Sequence, residues 1–496
     1  MKKCWSILMG VLLLVPASAQ VVNRPKAVLL TRVAPYAAGD TVRIIYGKEQ
    51  GSSPDRIRRK YSTGTVLINE DDLRFVVPLD FWQKLWLFER AESLLLGETQ
   101  PERRQMLLAD NQFYEAALAE KGALYEDALI TDYLTQVAMN IYKPWTQRSP
   151  WQIRVQVIRS PEPDAFTLSD GTILLSVGLL SLIRTEDELR VVLASQIAYL
   201  VSEYNLINYN REIAASNLRQ ALGLIAAVGV GALEAYSNYE YGTDFDGQAA
   251  VATGIVVSAL TGSITRSVGA SYSREQILRS QQVAVQYMRE TGGDTMALGR
   301  LLMRMRTEQI MGNATPSGLE RPSRYQPTLA EQLAQLGKIS GNPDPAAEQY
   351  YSLMMGELIQ EQAWQLFGLK RYELTRQYID RLMATQQVHD ETYLLAARLL
   401  RLTRDTPEDN AEGLRLAQAG FRISRPVMPE LLIEEYLFQM RMQAYPDAAA
   451  TLERLLLLME ARLSVWPADT YAQQKARWAY RMLQACKVLE AEYQQR

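Results

Sequence analysis

Between residues 21 and 78 the chain carries short apolar runs rich in β-branched residues. The runs span 27–33, 41–46, 65–68 and 73–77. Gly39-Asp40 and Gly51-Ser52-Ser53-Pro54 interrupt them, which is typical of short strands joined by turns. The pattern therefore predicts a β-rich N-terminal module over residues 21–78.

A basic cluster falls between two of these runs. It consists of Arg56, Arg58, Arg59 and Lys60. We expect it to lie in a solvated loop rather than to form an anion-binding patch, because no aromatic residue is interleaved with the charges.

From residue 79 the apolar positions recur at helical spacing, beginning with Phe81, Leu85 and Phe88. The helical pattern is then interrupted. A strand pattern at 153–158, a turn at Ser169-Asp170-Gly171, a second strand at 172–176 and an amphipathic run from Glu186 to about Tyr204 follow in that order. This succession predicts a compact α+β domain, which we place at 79–340.

Beyond residue 346 every segment has a helical pattern. Helices are predicted at 347–367, 372–385, 390–404, 407–422 and 429–443, with two more up to residue 496. The connections are short, so consecutive helices should pack as antiparallel pairs, loosely similar to tetratricopeptide pairs. A stretch rich in Pro, Ser, Gly and Asn at 321–345 precedes this region and predicts the main domain boundary, with few contacts across it. The predicted fold class is α+β, mostly α.

Two apolar, glycine-containing runs lie at 221–233 and 249–264. Each is shorter than the roughly 20 residues that a helix needs to cross a bilayer. Two interpretations stay open: a hairpin over 221–264 that makes peripheral membrane contact, and a buried helical pair in which glycines allow close approach. We favour the buried pair.

The first 19 residues have the layout of a secretory signal peptide. Lys2 and Lys3 precede an apolar run at 7–15, and Ala17-Ser18-Ala19 follows it. We expect cleavage after Ala19 and export to the periplasm; the alternative is a retained membrane anchor. Cys486 is then the only cysteine of the mature chain, so no internal disulfide is expected.

Composition narrows the classes of function. The 53 basic and 56 acidic residues give a formal charge of −3, so no electrostatic excess favours nucleic acid as a partner. The chain contains one histidine, which excludes any metal site or catalytic triad that needs two imidazoles. That histidine, His389, lies between two predicted helices and is most simply a loop or capping residue.

A series of short motifs in the central part resembles a known family. The motifs are Asp164-Ala165-Phe166, Gly171 to Leu174, Gly178-Leu179-Leu180, Glu186 to Leu189, and Tyr272 to Gln276. In this order they are similar to HtpX-like zinc metalloproteases, particularly the periplasmic beta-barrel assembly-enhancing type, which joins such a domain to a tetratricopeptide array. The resemblance implies a gluzincin-like protease domain followed by helical repeats.

The zinc motif of that family is H-E-x-x-H, in which two histidines bind the metal and the glutamate activates water. The corresponding residues here are Ser195-Gln196-Ile197-Ala198-Tyr199. The glutamate ligand that the family carries on a later helix falls on Ile277, and its Ala-Asp pair falls on Ser280-Gln281. The resemblance thus implies a vestigial site at Ser195, Gln196, Tyr199, Ile277 and Gln281, with no metal and no cofactor.

These observations predict a catalytically inactive protease relative that binds proteins. The expected partners are other envelope proteins or extended peptides. The family holds its substrate as an added strand, so the strand Thr172, Ile173, Leu174, Leu175 and Ser176 is the predicted peptide-binding edge.

Three alternatives stay open or are disfavoured. An active zinc peptidase would need a relocated site built from Glu186, Glu188, Glu203, Glu212 or Glu275, without any imidazole. A structural envelope protein that assembles through the β-rich module is a second alternative. Hydrolysis by Ser195 is disfavoured, because no histidine or lysine is near it along the chain to act as base.

Overall fold

The computed structural model describes most of the chain. The described residues are 25–50, 58–94, 100–120, 122–142, 151–215, 272–312, 327–337, 341, 343–386 and 388–494. The predicted signal peptide, the apolar runs at 221–233 and 249–264, and Arg56 lie outside them. Over the described residues the chain is mostly helical with small sheets, in agreement with the predicted class. No helix in these ranges is long and apolar enough to cross a membrane.

The N-terminal region forms two antiparallel three-stranded sheets. Its strands are β1 (Lys26–Leu29), β2 (Thr41–Arg43), β3 (Tyr46–Gln50), β4 (Arg58–Ser62), β5 (Leu67–Asn69) and β6 (Leu73–Phe75). The strand orders are β2-β1-β6 and β3-β4-β5. Helix α1 (Phe81–Leu94) packs on β3, where a Cβ atom at Gly47 would lie 2.4 Å from the Phe88 ring. Buried residues of the two sheets join the core of the central helices, so the β-rich module is not packed separately.

The basic cluster is part of a strand. Arg58, Arg59 and Lys60 lie on β4, the middle strand of its sheet, and the loop prediction was wrong. The Arg59 guanidinium is 5.5 Å from the centre of the Phe88 ring. Long basic side chains can lay their aliphatic stems on an apolar surface while the charge stays in water, which makes them compatible with a half-buried strand.

The central region places a mixed three-stranded sheet among helices. Its elements are α2 (Gln100–Glu120), α3 (Ala128–Ile141), β7 (Arg154–Ile158), β8 (Ala165–Thr167), β9 (Thr172–Ser176), α4 (Val177–Leu182), α5 (Glu186–Val201), α6 (Tyr204–Ala215), α7 (Arg274–Glu290), α8 (Ala297–Gly312) and α9 (Leu329–Leu336). The strand order is β7-β9-β8, with β9 parallel to β7 and antiparallel to β8. The predicted succession of strand, turn, strand and helix is confirmed.

The strand predicted to be a peptide-binding edge lies in the middle of this sheet. All residues of β9, from Thr172 to Ser176, are buried, and both sides of the strand are hydrogen-bonded to neighbours. The edge prediction was therefore wrong. A strand covered on both faces carries a continuous apolar run rather than an alternating one, and Ile173-Leu174-Leu175 fits that environment. The outer strand that contacts α5 is β8.

The C-terminal region is helical throughout its described residues. Its helices are α10 (Pro345–Met354), α11 (Gly356–Gly368), α12 (Tyr372–Ala384), α13 (Asp390–Thr403), α14 (Pro407–Ile423), α15 (Pro429–Arg441), α16 (Tyr445–Val465) and α17 (Thr470–Gln494). The predicted helix at 347–367 is two helices that meet at Met355. The others agree with prediction to within two residues.

The first of these helices pack into the central domain. Buried residues of α10 to α13 belong to the same apolar core as α3, α4 and α5. Ser181 Oγ donates to Leu358 O over 3.0 Å, and Tyr351 OH donates to Leu180 O over 3.1 Å. The expectation of few contacts across 321–345 was therefore wrong: that composition marks a connection in the chain, whereas burial decides where a core ends. Separate apolar clusters form among the later helices, α14 to α17.

Candidate functional site

Helix α5 carries the first set of predicted site residues through the interior. It begins at Thr185, whose hydroxyl accepts from Glu188 N over 3.3 Å, while the Glu188 carboxylate accepts from Arg184 N over 2.8 Å. From Val191 to Val201 the helix is buried on all sides. A helix buried all round needs apolar or fully hydrogen-bonded side chains, so any polar group on it must find a partner within the protein.

Helix α7 packs alongside α5 and completes a cluster of hydroxyl groups. Ser195 Oγ and Ser280 Oγ share a hydrogen bond of 3.1 Å. The Tyr199 hydroxyl lies beside both serines, and burial raises the pKa of Tyr199 to about 12 although the serine hydroxyls act in the opposite direction. The structure thus brings together Ser195 and Tyr199, as predicted, and adds Ser280 from the second helix.

Gln196 faces the sheet. The Thr167 hydroxyl of β8 donates to Gln196 Oε1 at 2.9 Å, and its distance to Gln196 O is 3.2 Å. A glutamate at this position could take up a proton from water. The neutral amide of Gln196 accepts hydrogen bonds but cannot act as a general base. The side chain therefore serves to join α5 to the outer strand.

An aromatic stack extends the cluster. The rings of Tyr199 and Tyr272 lie face to face, with centroids 3.8 Å apart and planes 3° apart. The Tyr272 hydroxyl has two acceptors, Thr167 O at 3.2 Å and Asn205 Oδ1 at 3.1 Å, and Asn205 Nδ2 donates to Thr167 O over 2.6 Å. Burial raises the pKa of Tyr272 well above its usual range. Thr167 O, on the outer edge of β8, therefore accepts hydrogen bonds from two side chains rather than from another strand.

Of the two remaining predicted residues, Ile277 lies beside the hydroxyl groups and Gln281 lies apart from them: Ser280 Oγ donates to Ile277 O over 2.9 Å. Ile277 packs against the apolar cluster that contains Tyr199 and Tyr272. Gln281 points toward α9, where its Nε2 donates to Gln332 Oε1 over 2.5 Å. The predicted set is therefore only partly assembled.

Sequence reasoning gave no role to four residues of the network, namely Thr167, Asn205, Tyr272 and Ser280, although Tyr272 and Ser280 stand in segments that carry the resemblance. Ser280 was available from the motif, because it stands one position before Gln281 and three after Ile277, on the turn that faces α5. The others come from a strand, from α6 and from the residues before α7. No local pattern links them, since their proximity arises from packing.

A zinc ion does not fit these residues. Zinc in proteins is bound by cysteine, histidine and carboxylate side chains. The aligned positions offer neutral hydroxyls, an amide and a hydrocarbon. In the described ranges no group of three or more His, Cys, Asp or Glu residues is placed to hold a metal ion.

The carboxylates of the alternative zinc site are dispersed. Glu186 accepts from Tyr133 OH over 3.0 Å, and Glu203 pairs with Arg104 at 2.7 Å. Glu188 is fully buried between two arginines of α8: its Oε1 is 3.7 Å from Arg300, and Arg304 is also paired with it. Glu275 is exposed at the start of α7, and the side chain of Glu212 lies outside the described part of the structure. The carboxylates that the structure describes do not meet at one point.

A protein-family model matches the central part of the chain. Residues 130–344 match the model of a family described as peptidase family M48. No curated protein matches the chain. The matched segment runs from the first turn of α3 to the residue before α10, and it includes α5, α7 and the mixed sheet between α3 and α4. This part of the chain is therefore similar to the M48 metallopeptidases, a family of the gluzincin type.

Proposed function

We propose that this protein is an exported, catalytically inactive relative of the M48 peptidases that acts by binding other proteins. One observation carries the proposal: where a zinc site would need ligands, Ser195 Oγ is hydrogen-bonded to Ser280 Oγ, and the buried Tyr199 hydroxyl lies beside both serines. A metal ligand must present a lone pair without a proton at neutral pH. A tyrosine with a pKa of about 12 keeps its proton there.

Other catalytic chemistry has no support at this position. Ser195 has hydroxyl partners, and a serine nucleophile needs a base that can take its proton. His389 lies at the N-terminal end of α13, with Nε2 3.2 Å from Glu357 Oε1, in the helical region. Its position favours a capping role.

Binding of a peptide as an added strand on the outer edge of β8 is also weakly supported. The outward-facing groups of β8 include Ala165 N, which donates to the Asp164 carboxylate over 2.8 Å, and Thr167 O, which accepts from Asn205. A peptide pairing with β8 would have to displace these bonds. The helical surfaces are therefore better suited to partner binding than the outer edge of β8. The proposed partners are other envelope proteins or extended peptides.

Elemental analysis of the full mature chain, together with a protease assay on an unfolded protein, tests the loss of activity. We expect no stoichiometric zinc and no cleavage that a chelator suppresses. A matched sample incubated with zinc and then desalted controls for metal lost during purification. One zinc per chain with chelator-sensitive cleavage would instead favour the alternative, an active peptidase with a relocated site.

A further inference from the structure

The last described helix, α17, is covered on one side only. Its N-terminal half packs on α15, where the Tyr436 and Trp478 rings are 5.6 Å apart. Its C-terminal end meets the start of α16, where Tyr445 and Tyr493 are 6.0 Å apart. The helix therefore runs antiparallel to α16 and lies against two neighbours at once. Its buried positions are Ala472, Ala479, Leu483 and Cys486.

The opposite face of α17 is exposed and combines apolar with basic side chains. The exposed face consists of Arg477, Tyr480, Arg481, Gln484, Lys487 and Val488. Helical spacing of three, four, seven and eleven residues places these on one stripe. Tyr480 is 59% and Val488 is 58% exposed, so the stripe presents two large apolar side chains one above the other to solvent. The stripe spans about three turns, or roughly 16 Å.

The charge of this face is one-sided. Between Thr470 and Leu489 the chain has four basic residues and no acidic residue. Arginines on earlier C-terminal helices have carboxylate partners: Arg401 pairs with Glu434 at 2.6 Å, and Arg454 with Glu435 at 2.7 Å. The ion pairs of the described residues include neither Arg481 nor Lys487.

We propose that this face of α17 docks an acidic amphipathic helix of a partner protein. The apolar side chains of such a helix would cover Tyr480 and Val488, while its carboxylates at the rim would face Arg477, Arg481 and Lys487. Carboxylates are favoured over other occupants because the stripe from Arg477 to Val488 carries three cations and no carboxylate. Interfaces of this kind bury an apolar centre inside a charged rim.

A second copy of the chain fits this face less well. Two α17 helices packed antiparallel about Gln484 would bring Arg481 of one copy opposite Lys487 of the other, and like charges at an interface are repulsive. A membrane surface is also less suitable. Helices that lie on membranes bury a broad apolar face, whereas Tyr480 and Val488 are the only large apolar side chains on the exposed stripe.

The docking surface extends the proposed binding function but does not depend on the loss of zinc chemistry. A chain that bound zinc and cleaved protein would overturn the proposed function and leave this surface untouched. Failure of peptide binding with no zinc present would do the reverse.

Fluorescence anisotropy with a labelled peptide tests the docking surface. The probe is a helical peptide of about 18 residues, enough to cover the stripe, with leucine on one face and glutamate at its borders. The full mature chain is titrated with it and with a second peptide in which lysine replaces every glutamate. We expect the acidic peptide to bind, the basic peptide not to bind, and the affinity to fall as salt is raised.

The double variant Arg481→Glu with Lys487→Glu should weaken binding of the acidic peptide by about tenfold or more, as expected for two rim ion pairs changed to repulsion. The same variant should gain affinity for the basic peptide. Arg289→Glu with Arg306→Glu changes two exposed cations on α7 and α8 and is the matched control for net charge; it should bind like the wild type.

Three outcomes would overturn the proposal. Equal binding of the acidic peptide by the wild type and the Arg481/Lys487 variant would place its site elsewhere. A wild-type dimer in sedimentation that Tyr480→Glu dissociates would identify a second copy as the occupant. Binding to vesicles of anionic phospholipid that is lost in the Arg481/Lys487 variant, without binding of the acidic peptide, would identify a lipid surface.

Discussion

At the scale of single residues, the centre of the M48-like segment is a closed polar network. Ser195 and Ser280 share a hydrogen bond, Ser280 also donates to Ile277 O, and Tyr272, stacked on Tyr199, anchors the group to the backbone of β8. A metal ion can cross-link two helices through its ligands. Here hydrogen bonds and ring stacking join α5 to α7, and the buried hydroxyls have partners as folded interiors require.

Restoring the family's ligands tests whether the backbone keeps the geometry of a metal site. The variant Ser195→His, Gln196→Glu, Tyr199→His and Ile277→Glu should take up zinc, because the two histidines are one helical turn apart and α7 packs beside them. Zinc should then raise the melting temperature by binding the folded state. Elemental analysis and thermal melts with and without chelator measure both effects.

The matched control keeps Ile277 and carries the other three substitutions; it should bind zinc more weakly, since it lacks the third protein ligand. If a folded quadruple variant takes up no zinc, the two helices are placed differently from those of a metal site.

The buried tyrosines predict a dependence of stability on alkaline pH. Burial raises the pKa of Tyr199 to about 12, and also raises that of Tyr272, whereas a tyrosine in the unfolded chain ionises near 10. The folded state therefore holds these protons more tightly. The corresponding stability is complete below about pH 10 and is lost as pH rises toward the folded-state pKa.

Urea unfolding at several pH values between about 8 and 11 measures this slope. The double variant Tyr199→Phe with Tyr272→Phe should lose less stability above pH 10 than the wild type does. Tyr480→Phe, on the exposed face of α17, should retain the wild-type slope. Identical slopes for all three proteins would contradict the assignment.

At the scale of elements, the start of α5 is held by charge and its middle by packing. Glu188 lies in the first turn, where a negative charge is favoured by the helix dipole, and it is fully buried against Arg300 and Arg304 of α8. The pairing ties the start of α5 to a helix more than a hundred residues further along the chain. Removing one partner of a buried ion pair leaves the other charge without compensation.

The variant Glu188→Gln should lower the free energy of unfolding by about 3–5 kcal/mol, because two arginines would remain in the interior without their carboxylate. Chemical denaturation monitored by circular dichroism measures the loss. Glu275→Gln, at an exposed position of the first turn of α7, is the matched control and should change stability by less than about 0.5 kcal/mol. A small effect at Glu188 would mean that water reaches the two guanidinium groups.

At the scale of the whole molecule, the central domain and the first C-terminal helices share one core. Leu358, Ile359 and Leu366 of α11 are buried together with residues of α4 and α5. Arg381 of α12 reaches the same junction and donates to the carbonyls of Ser181 and Ile183. The composition of the sequence thus changes near residue 340, but one apolar core continues across that point.

A fragment of residues 346–496 should therefore not unfold cooperatively by itself, because it would expose the apolar side of α11 to water. Thermal melts and size-exclusion chromatography of the fragment measure this. Co-expression with a fragment of residues 25–345 is the control, and the two pieces should copurify as a folded complex. A monomeric fragment with a sharp melting transition and no affinity for the other piece would restore the expectation of independent folding.

The sequence by itself determined the local features of this protein. Periodicity located α1, α5 and the C-terminal helices but not α4, α6 or α8. Turn residues located four of the six N-terminal strands, and the motifs from Asp164 to Leu189 indicated a protease-like segment that the M48 match supports. These features depend on neighbours along the chain. Periodicity and turn signals act within a few residues, and a helix starts or ends through local capping.

Tertiary structure alone decided which surfaces meet. β9 is apolar from Ile173 to Leu175 in the sequence, yet only the pairing of β7 and β8 on its two sides makes it central. Tyr272 lies far from Tyr199 in the chain, and only the packing of α5 beside α7 brings their rings together. The core of α11 is shared with α4 for the same reason. Burial and long-range contacts depend on the summed arrangement of all elements, and no window of the sequence contains that information.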